Sequence, residues 1–161
     1  MSRAFIKEDA GDDELPERAQ SASPNYVTLR GLDLLRRRVT ELKAKLGALG
    51  PDDRARREVS RDLKYYERRI ARAIPVDCAG RSNEEARFGA TVLLRGEDGR
   101  ELRYEIVGQD EAEEGGAKIS WDSSPALALM GAKAGQTVEL SIGDQTVRAL
   151  VAEIAYPPRP S

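Results

Sequence analysis

The chain has 161 residues, 40% of them hydrophobic and 34% charged, which suits one ordinary domain or a small domain with a solvated appendage. A formal net charge of −2 excludes a uniformly basic polyanion-binding protein. The chain has no histidine and one cysteine, Cys78, which excludes an intrachain disulfide, a zinc knuckle and histidine-based catalysis. No apolar run reaches membrane-spanning length and the acidic N-terminus does not resemble a signal peptide, so we expect a cytoplasmic protein without a membrane partner.

The first 23 residues are rich in acidic residues, serine, proline and alanine, and they show no sustained periodicity. This composition predicts a disordered acidic tail over residues 1–23. The segment that follows is basic, so opposite charge predicts that the tail masks it.

Residues 24–76 have the pattern of an antiparallel helical hairpin. Residues 24–28 are predicted to be an extended entry, and Thr28 is a good N-cap for a first helix over Leu29–Leu49. Gly50-Pro51 interrupts the pattern, and a second helix is predicted to begin at Pro51 and to end before Pro75. Neither helix can bury its apolar stripe alone, so the second is expected to fold back on the first as a two-stranded coiled coil. The stripe consists of Leu32, Leu35, Val39, Leu42, Leu46 and Leu49, followed by Val59, Leu63, Tyr66, Ile70 and Ala73.

Residues 77–83 are predicted to be a linker, and residues 84–157 a compact antiparallel β-sheet domain with a short helix. From Phe88 the apolar period becomes two, with turns at Gly96–Gly99 and at Gly143-Asp144. The predicted strands are Phe88–Arg95, Glu101–Val107, Lys118–Trp121, Thr137–Ile142 and Thr146–Tyr156, with a helical turn at Pro125–Met130. The fold class is therefore α+β.

No phosphate-binding loop, dinucleotide fingerprint or Gly-x-Ser-x-Gly elbow occurs. We therefore do not expect the protein to be an enzyme in its own right.

Four short motifs carry a resemblance that covers roughly Pro24 to Tyr156. They are Tyr26-Val27-Thr28-x-x-Gly31, Phe88-Gly89-Ala90-Thr91-Val92, Tyr104 to Glu111 (Tyr-Glu-Ile-Val-Gly-Gln-Asp-Glu) and Ile119-Ser120-Trp121-Asp122-Ser123. In this pattern the chain resembles the bacterial transcription elongation factors GreA and GreB. The resemblance implies an FKBP-like globular domain at the rim of the RNA polymerase secondary channel and a hairpin inserted into that channel. Acidic residues at the hairpin tip then help to hold a magnesium ion while the polymerase cleaves backtracked RNA.

The chain departs from the family pattern at the tip. The family's Gly-Asp-Leu-x-Glu-Asn-Ala motif is replaced by Gly50-Pro51-Asp52-Asp53-Arg54. From Thr28 to Asp52 there are 24 steps, about ten fewer than in the family, which at ~1.5 Å per residue shortens the arm by roughly 15 Å. In the globular half, the family's Asp-Ser-Pro reads Asp122-Ser123-Ser124 with Pro125 one place later, and Leu127 replaces an arginine.

The resemblance implies three groups of site residues, each with a simpler alternative. Asp52 and Asp53 are the candidate catalytic acids and Mg²⁺ ligands, the metal being held only jointly with the polymerase and no cofactor being bound alone. Alternatively, they complement a helix dipole. The basic cluster Arg54, Arg56, Arg57 and Arg61 would contact the nascent RNA 3′ end or the channel wall, or form a solvated helix face.

The third group is in the globular half. Asp122, Ser123, Ser124 and Pro125 would contact the polymerase, or cap the helical turn that follows them. Trp121 is expected to pack rather than to form the floor of a ligand pocket.

These residues together indicate a protein that binds in the RNA polymerase secondary channel and regulates transcription elongation. Two versions of this function differ in what the hairpin tip does. In one, the tip acids stimulate cleavage of backtracked RNA; in the other, the shortened hairpin occludes the channel without cleavage. Two other classes stay open: a peptidyl-prolyl isomerase-like protein, and an adaptor whose hairpin pairs with another helical partner.

Overall fold

The computed structural model describes residues 15–160, so most of the predicted acidic tail, residues 1–14, lies outside the described residues. The described chain divides into two compact units, one of residues 15–24 and 33–73, the other of residues 25–32 and 74–160. The α+β class and the order of hairpin before sheet are confirmed. Within residues 15–160, no helix combines the length and the apolar character needed to cross a membrane.

The hairpin consists of α1 (Leu29–Ala48) and α2 (Ala55–Ala71). The Arg56 guanidinium donates to the Leu46 carbonyl oxygen, and the Arg38 guanidinium lies 5.8 Å from the centre of the Tyr66 ring. The contact near the tip thus joins residue 46 to residue 56, and the contact farther from it joins residue 38 to residue 66. The two helices are therefore antiparallel. The predicted stripe includes the buried side chains of Leu35, Val39, Leu42 and Val59.

The second helix begins at Ala55, four residues later than the sequence predicted. Residues 51–54 form a turn instead, in which the Asp53 amide donates to the Gly50 carbonyl oxygen at 3.2 Å. The Asp53 carboxylate then accepts a hydrogen bond from the Ala55 amide at 2.9 Å. A short acceptor side chain at this position favours a cap over a continuing helix.

Residues 15–20, which we call the N-terminal strap, lie along α2. Glu17 forms two hydrogen bonds with the Arg68 guanidinium, at 2.6 and 2.9 Å. The Arg18 guanidinium lies 3.9 Å from the centre of the Tyr65 ring, and the Gln20 side-chain amide donates to the Tyr65 carbonyl oxygen at 3.3 Å. This part of the predicted tail therefore has defined contacts with the hairpin.

The second unit contains a small sheet of two strands, β1 (Asn25–Thr28) and β2 (Ala73–Val76). Residues 25–28 were predicted as an extended entry, whereas residues 73–76 were assigned to the end of the helical hairpin. Proline is tolerated on edge strands, and in a sheet of two strands both are edges, so Pro75 can lie within β2.

The larger sheet has five strands in the order β5-β4-β3-β7-β6. Its neighbouring strands are antiparallel except for β4 and β5, which are parallel, so the prediction of a purely antiparallel sheet was wrong in this pair. The loop of residues 108–117 returns the chain to the second half of β4, where Lys118 pairs with Glu105. The strands are β3 (Thr91–Gly96), β4 (Glu101–Val107), β5 (Lys118–Ser120), β6 (Thr137–Ile142) and β7 (Gln145–Ala155), with α3 (Ser124–Leu129) between β5 and β6.

The core of this unit lies between the sheet and α3. Alternate residues of β3, Val92 and Leu94, are fully buried, as the period of two predicted. They pack with Ile106 of β4, Val151 of β7 and the buried face of α3. This core fixes α3, and with it the loop that precedes α3.

Candidate functional site

The hairpin tip is a compact turn that a side chain of α2 connects to the end of α1. The Arg56 guanidinium donates to the carbonyl oxygens of Leu46 and Leu49, at 3.1 and 3.3 Å. The last carbonyl groups of a helix have no partner within it, so Arg56 caps the end of α1. The structure thus gives Arg56, one of the four predicted RNA or channel contacts, a structural role.

The two candidate tip acids differ in their surroundings. Asp53 accepts a hydrogen bond from the amide of Ala55, the first residue of α2, so its carboxylate lies at the N-terminal end of that helix, where the dipole considered as the alternative favours negative charge. Asp52 is exposed on the turn beside it. Their function at a polymerase active centre stays a prediction.

The tip acids do not form a metal site by themselves. Among residues 15–160, no group of three or more histidine, cysteine, aspartate or glutamate side chains could hold a metal ion. Mg²⁺ requires an octahedral set of oxygen ligands. Asp52 and Asp53 could therefore contribute to a magnesium site only if another molecule supplied further ligands.

A groove of about 430 Å³ runs beside the tip and carries charges of both signs. Arg56, Arg57, Arg61 and Lys64 line it together with Asp52, Asp53 and Glu17 of the N-terminal strap. Arg54 is exposed on the same turn, and Arg61 lies 3.7 Å from the Asp62 carboxylate. The predicted basic cluster is thus gathered at one end of the hairpin, with carboxylates interspersed among its guanidinium groups.

The loop between β5 and α3 holds the predicted polymerase contact in a fixed conformation. Asp122 accepts a hydrogen bond from the Gln109 side-chain amide at 2.7 Å and another from the Ser120 hydroxyl group. Ser123 caps α3, because its hydroxyl oxygen accepts from the Ala126 amide at 3.4 Å. Pro125 lies in the first turn of α3, where proline is tolerated. We call Asp122, Ser123, Ser124 and Pro125 the Asp122 loop.

Trp121 precedes this loop in the sequence and Leu127 follows it. Leu127 is 59% exposed although Ala126 and Leu129, on the same short helix, are fully buried. Trp121 packs edge-on against Tyr26, with ring centres 5.1 Å apart, which confirms its predicted packing role. The short helix that follows the Asp122 loop thus exposes one apolar side chain.

A polar network at the start of α1 was not foreseen from the sequence. Glu111 is almost fully buried and accepts hydrogen bonds from the Thr28 hydroxyl group and from the Arg30 guanidinium, the latter at 2.8 Å. Arg30 also pairs with Glu105 of β4. Burial lowers the pKa of Arg30, but the hydrogen bonds to Glu111 and Glu105 outweigh it and raise that pKa above its ordinary value. A buried carboxylate needs such partners, because an unpaired one is costly.

The same network explains two residues of the motifs found in the sequence. Thr28 caps α1, accepting from the Gly31 amide at 2.9 Å while donating to Glu111. A Cβ at position 31 would lie 2.7 Å from a Glu111 carboxylate oxygen. The signal was available in the sequence only as two separate motifs, Thr28-x-x-Gly31 and Gln109-Asp110-Glu111, whose proximity requires the fold.

Comparison with known proteins gives matches to transcription elongation factors. The family described as "Transcription elongation factor, GreA/GreB, C-term" matches residues 81–156. The transcription elongation factor GreA of Zymomonas mobilis is 36% identical over 90 residues, covering 56% of this chain and 57% of the relative. GreB of Neisseria meningitidis serogroup B is 35% identical over 104 residues, covering 64% of each chain.

Two solved structures match most of this chain. Gfh1, the GreA factor homolog 1 of Thermus thermophilus, has a TM-score of 0.43 at 19% identity, and a GreA/GreB factor of Nitrosomonas europaea has 0.43 at 21%. Each match covers 83% of this chain and 99% of the other. At TM-scores below 0.5, neither similarity bears on function.

The partial coverage of the sequence relatives limits which of their properties can be assigned to this chain. The aligned segments span 57% to 64% of the first three curated relatives' own lengths, so those proteins' activities are not transferred with the alignment. The matched residues 81–156 include most of the five-stranded sheet's unit and the whole Asp122 loop. The C-terminal domain of this chain thus matches the C-terminal domain of the GreA/GreB transcription elongation factors.

Proposed function

We propose that the protein binds bacterial RNA polymerase at its secondary channel and regulates transcription elongation without being an enzyme itself. The observation that carries this proposal is the GreA/GreB match over residues 81–156, supported by relatives that are named transcription elongation factors. The hairpin, with its antiparallel helices of 20 and 17 residues, supplies the second element that such a factor needs.

In this proposal the Asp122 loop is the polymerase contact. Its carboxylate is already oriented by Gln109 and Ser120, so binding would lose little conformational freedom. Ser123 and Pro125 fix the start of α3, and exposed Leu127 adds an apolar side chain beside them. A rigid contact of mixed chemistry is typical of interface residues that dominate affinity.

The docking proposal is tested with purified core RNA polymerase. Asp122→Ala should weaken binding about tenfold, which is the effect expected when one charge-assisted hydrogen bond is lost. Asp144→Ala, a change of the same charge at the exposed turn between β6 and β7, is the control and should bind as the wild type does. Equal affinity of all three proteins would remove the Asp122 loop from the interface, and failure of the wild type to bind would refute the proposed function.

For the outcome of binding, the tip geometry favours regulation without transcript cleavage. Asp53 is engaged as a helix cap, and Asp52 and Asp53 alone lack the ligands of a complete metal site. The arms are also roughly 15 Å shorter than the family pattern implies, and a metal ligand must lie within about 2.1 Å of its ion. We infer that the hairpin occupies the channel and slows nucleotide addition.

Stalled, backtracked elongation complexes separate the two versions. The non-cleaving version predicts no short 3′ RNA fragments beyond those from polymerase alone, together with slower RNA extension. The variant Asp52→Asn/Asp53→Asn is the matched comparison, because asparagine retains the capping hydrogen bond and removes only the charge. Fragments that appear with the wild type and vanish with this variant would establish the cleaving version instead.

A further inference from the structure

The N-terminal strap covers one face of α2 with an acidic and a basic side chain placed side by side. The Glu17 carboxylate contacts both terminal nitrogens of Arg68. The neighbouring Arg18 guanidinium lies over the Tyr65 ring and 3.3 Å from the Asp62 carboxylate. We call Asp62, Tyr65 and Arg68 the strap site. It binds a carboxylate and a guanidinium that are adjacent in sequence.

The chemistry of the strap site favours a protein partner over RNA. Arg68 alone would suit a phosphate as well as a carboxylate. Asp62, however, would repel a phosphate backbone, whereas it attracts a basic side chain. A protein surface that presents a carboxylate next to an arginine satisfies Arg68, Tyr65 and Asp62 together, as the strap does.

The strap is held by contacts that a partner could replace. The side chains of Glu17 and Arg68 are 58% and 50% exposed, and Arg18 is 36% exposed. Ion pairs this exposed contribute little to stability and are screened by salt. The strap site is therefore occupied, but by a segment whose release requires no change in the hairpin helices.

We propose that the strap site is a docking surface for a mixed-charge segment of a partner protein, and that the N-terminal strap competes for it within the chain. This rests on the proposed function, which makes RNA polymerase the partner to test. The strap then acts as a built-in inhibitor, because the fraction of molecules with the strap released sets the apparent affinity.

The test measures the affinity of core RNA polymerase for the full chain at low salt. Glu17→Gln keeps the shape of the side chain but removes the charge that pairs with Arg68, and it should bind about twofold to fivefold more tightly. Glu84→Gln removes the same charge from an exposed position of the other unit and should leave affinity unchanged. An equal gain in both variants would show a general charge effect and overturn the proposal.

Two further variants establish that the gain comes from the strap site. Deleting residues 1–23 leaves every described helix and strand intact, since β1 begins at Asn25, and it should reproduce the gain of Glu17→Gln. Glu17→Gln/Arg68→Gln should lose that gain, because the released site then lacks its cation. A gain that persists without Arg68 would place the docking surface elsewhere.

The strap itself has a readout that does not involve the polymerase. The side-chain protons of Arg18 lie over the Tyr65 ring, so their NMR resonances should be shifted by the ring current. Glu17→Gln should move them toward ordinary arginine values, and unchanged shifts would show that Glu17 does not hold the strap.

A labelled single-stranded RNA is the second probe. If Glu17→Gln raises RNA affinity and leaves polymerase affinity unchanged, the surface binds nucleic acid and the protein-docking proposal fails. If no variant binds polymerase, the proposed function fails. If the wild type and Glu17→Gln bind polymerase equally well, competition by the strap is refuted but the proposed function is not.

Discussion

At the scale of single residues, Gly31 and Gly47 offer a controlled comparison, because both lie in α1. A methyl group at position 31 would meet the Glu111 carboxylate at 2.7 Å and the Thr28 hydroxyl oxygen at 3.2 Å, whereas nothing lies within 4 Å of one at position 47. The Glu111 carboxylate cannot easily move away, because Thr28 and Arg30 hold it. We therefore expect Gly31→Ala to lower the free energy of unfolding by about 1–3 kcal/mol.

Helix propensity alone would make alanine stabilising at both positions. Gly47→Ala should raise the free energy of unfolding by up to about 1 kcal/mol, since alanine loses less backbone entropy than glycine. Urea unfolding followed by circular dichroism measures both. If Gly31→Ala were as stabilising as Gly47→Ala, the close approach of Glu111 would not constrain position 31.

The sequence predicts local roles at this scale and misses those that depend on distant residues. Thr28 is recognisable as a cap because its acceptor precedes an apolar helical pattern, and the structure confirms the cap. Glu111 looks like one more acid of a glycine-rich acidic loop. Its burial depends on partners 81 and 83 positions away, and no local pattern encodes that pairing.

At the scale of elements, prediction succeeded where one period extends over many residues. The end of α1 was predicted within one residue, and the bounds of β4 and β6 were predicted as they stand in the structure. The start of α2 was misplaced because Pro51 is a good first helical residue, while Asp53 is a better cap. Strand β5 was predicted, but its parallel pairing with β4 was not. The direction of that pairing depends on the path of the chain between the two strands and not on the three residues of β5.

The N-terminal strap gives a prediction about pH at this scale. The hydrogen bond and charge of Arg68, with a smaller contribution from Lys64, lower the pKa of Glu17 below its ordinary value. A carboxylate whose pKa is lowered by binding favours the bound form above its ordinary pKa and loses that effect as pH falls through the lowered one. The released fraction of the strap should therefore be smallest at neutral pH and should increase as the pH falls through the acid range.

NMR titration of the side-chain carboxyl carbons checks this. Glu17 should titrate below an ordinary glutamate, and Arg68→Gln should return its midpoint to the ordinary value. A Glu17 midpoint that is unchanged by Arg68→Gln would show that the pair does not form in solution.

At the scale of the whole molecule, the α+β class and the order of hairpin before sheet were predictable, because the apolar period changes from helical to alternating along the chain. Which residues belong to the second unit was not predictable. It includes residues 25–32, which the sequence assigned to the hairpin domain of residues 24–76. Gly108 shows why: a Cβ there would lie 2.4 Å from the Tyr26 carbonyl oxygen, so β1 passes against the end of β4. Such a contact between distant segments has no signature in either segment.

Because the second unit includes residues 25–32, a fragment cut at the domain boundary predicted from the sequence, residues 77–161, should lack part of that unit. It lacks both strands of the small sheet, the Tyr26 ring against Trp121, and the Thr28 and Arg30 partners of Glu111. Trp121 fluorescence during urea unfolding should show a lower midpoint for the fragment than for the same signal in the full chain. Equal midpoints would mean that residues 25–32 do not stabilise this unit.

Glu111→Gln separates the loss of this network from a general effect of truncation. In the full chain the substitution removes a charged partner from Arg30 and Thr28, and it should lower the free energy of unfolding by about 1–3 kcal/mol. In the fragment those partners are already missing, and the Glu105 and Glu111 carboxylates that Arg30 had bridged repel each other. There the substitution should be neutral or slightly stabilising, within about 0.5 kcal/mol. A loss of the same size in both backgrounds would mean that Glu111 acts through residues other than Thr28 and Arg30.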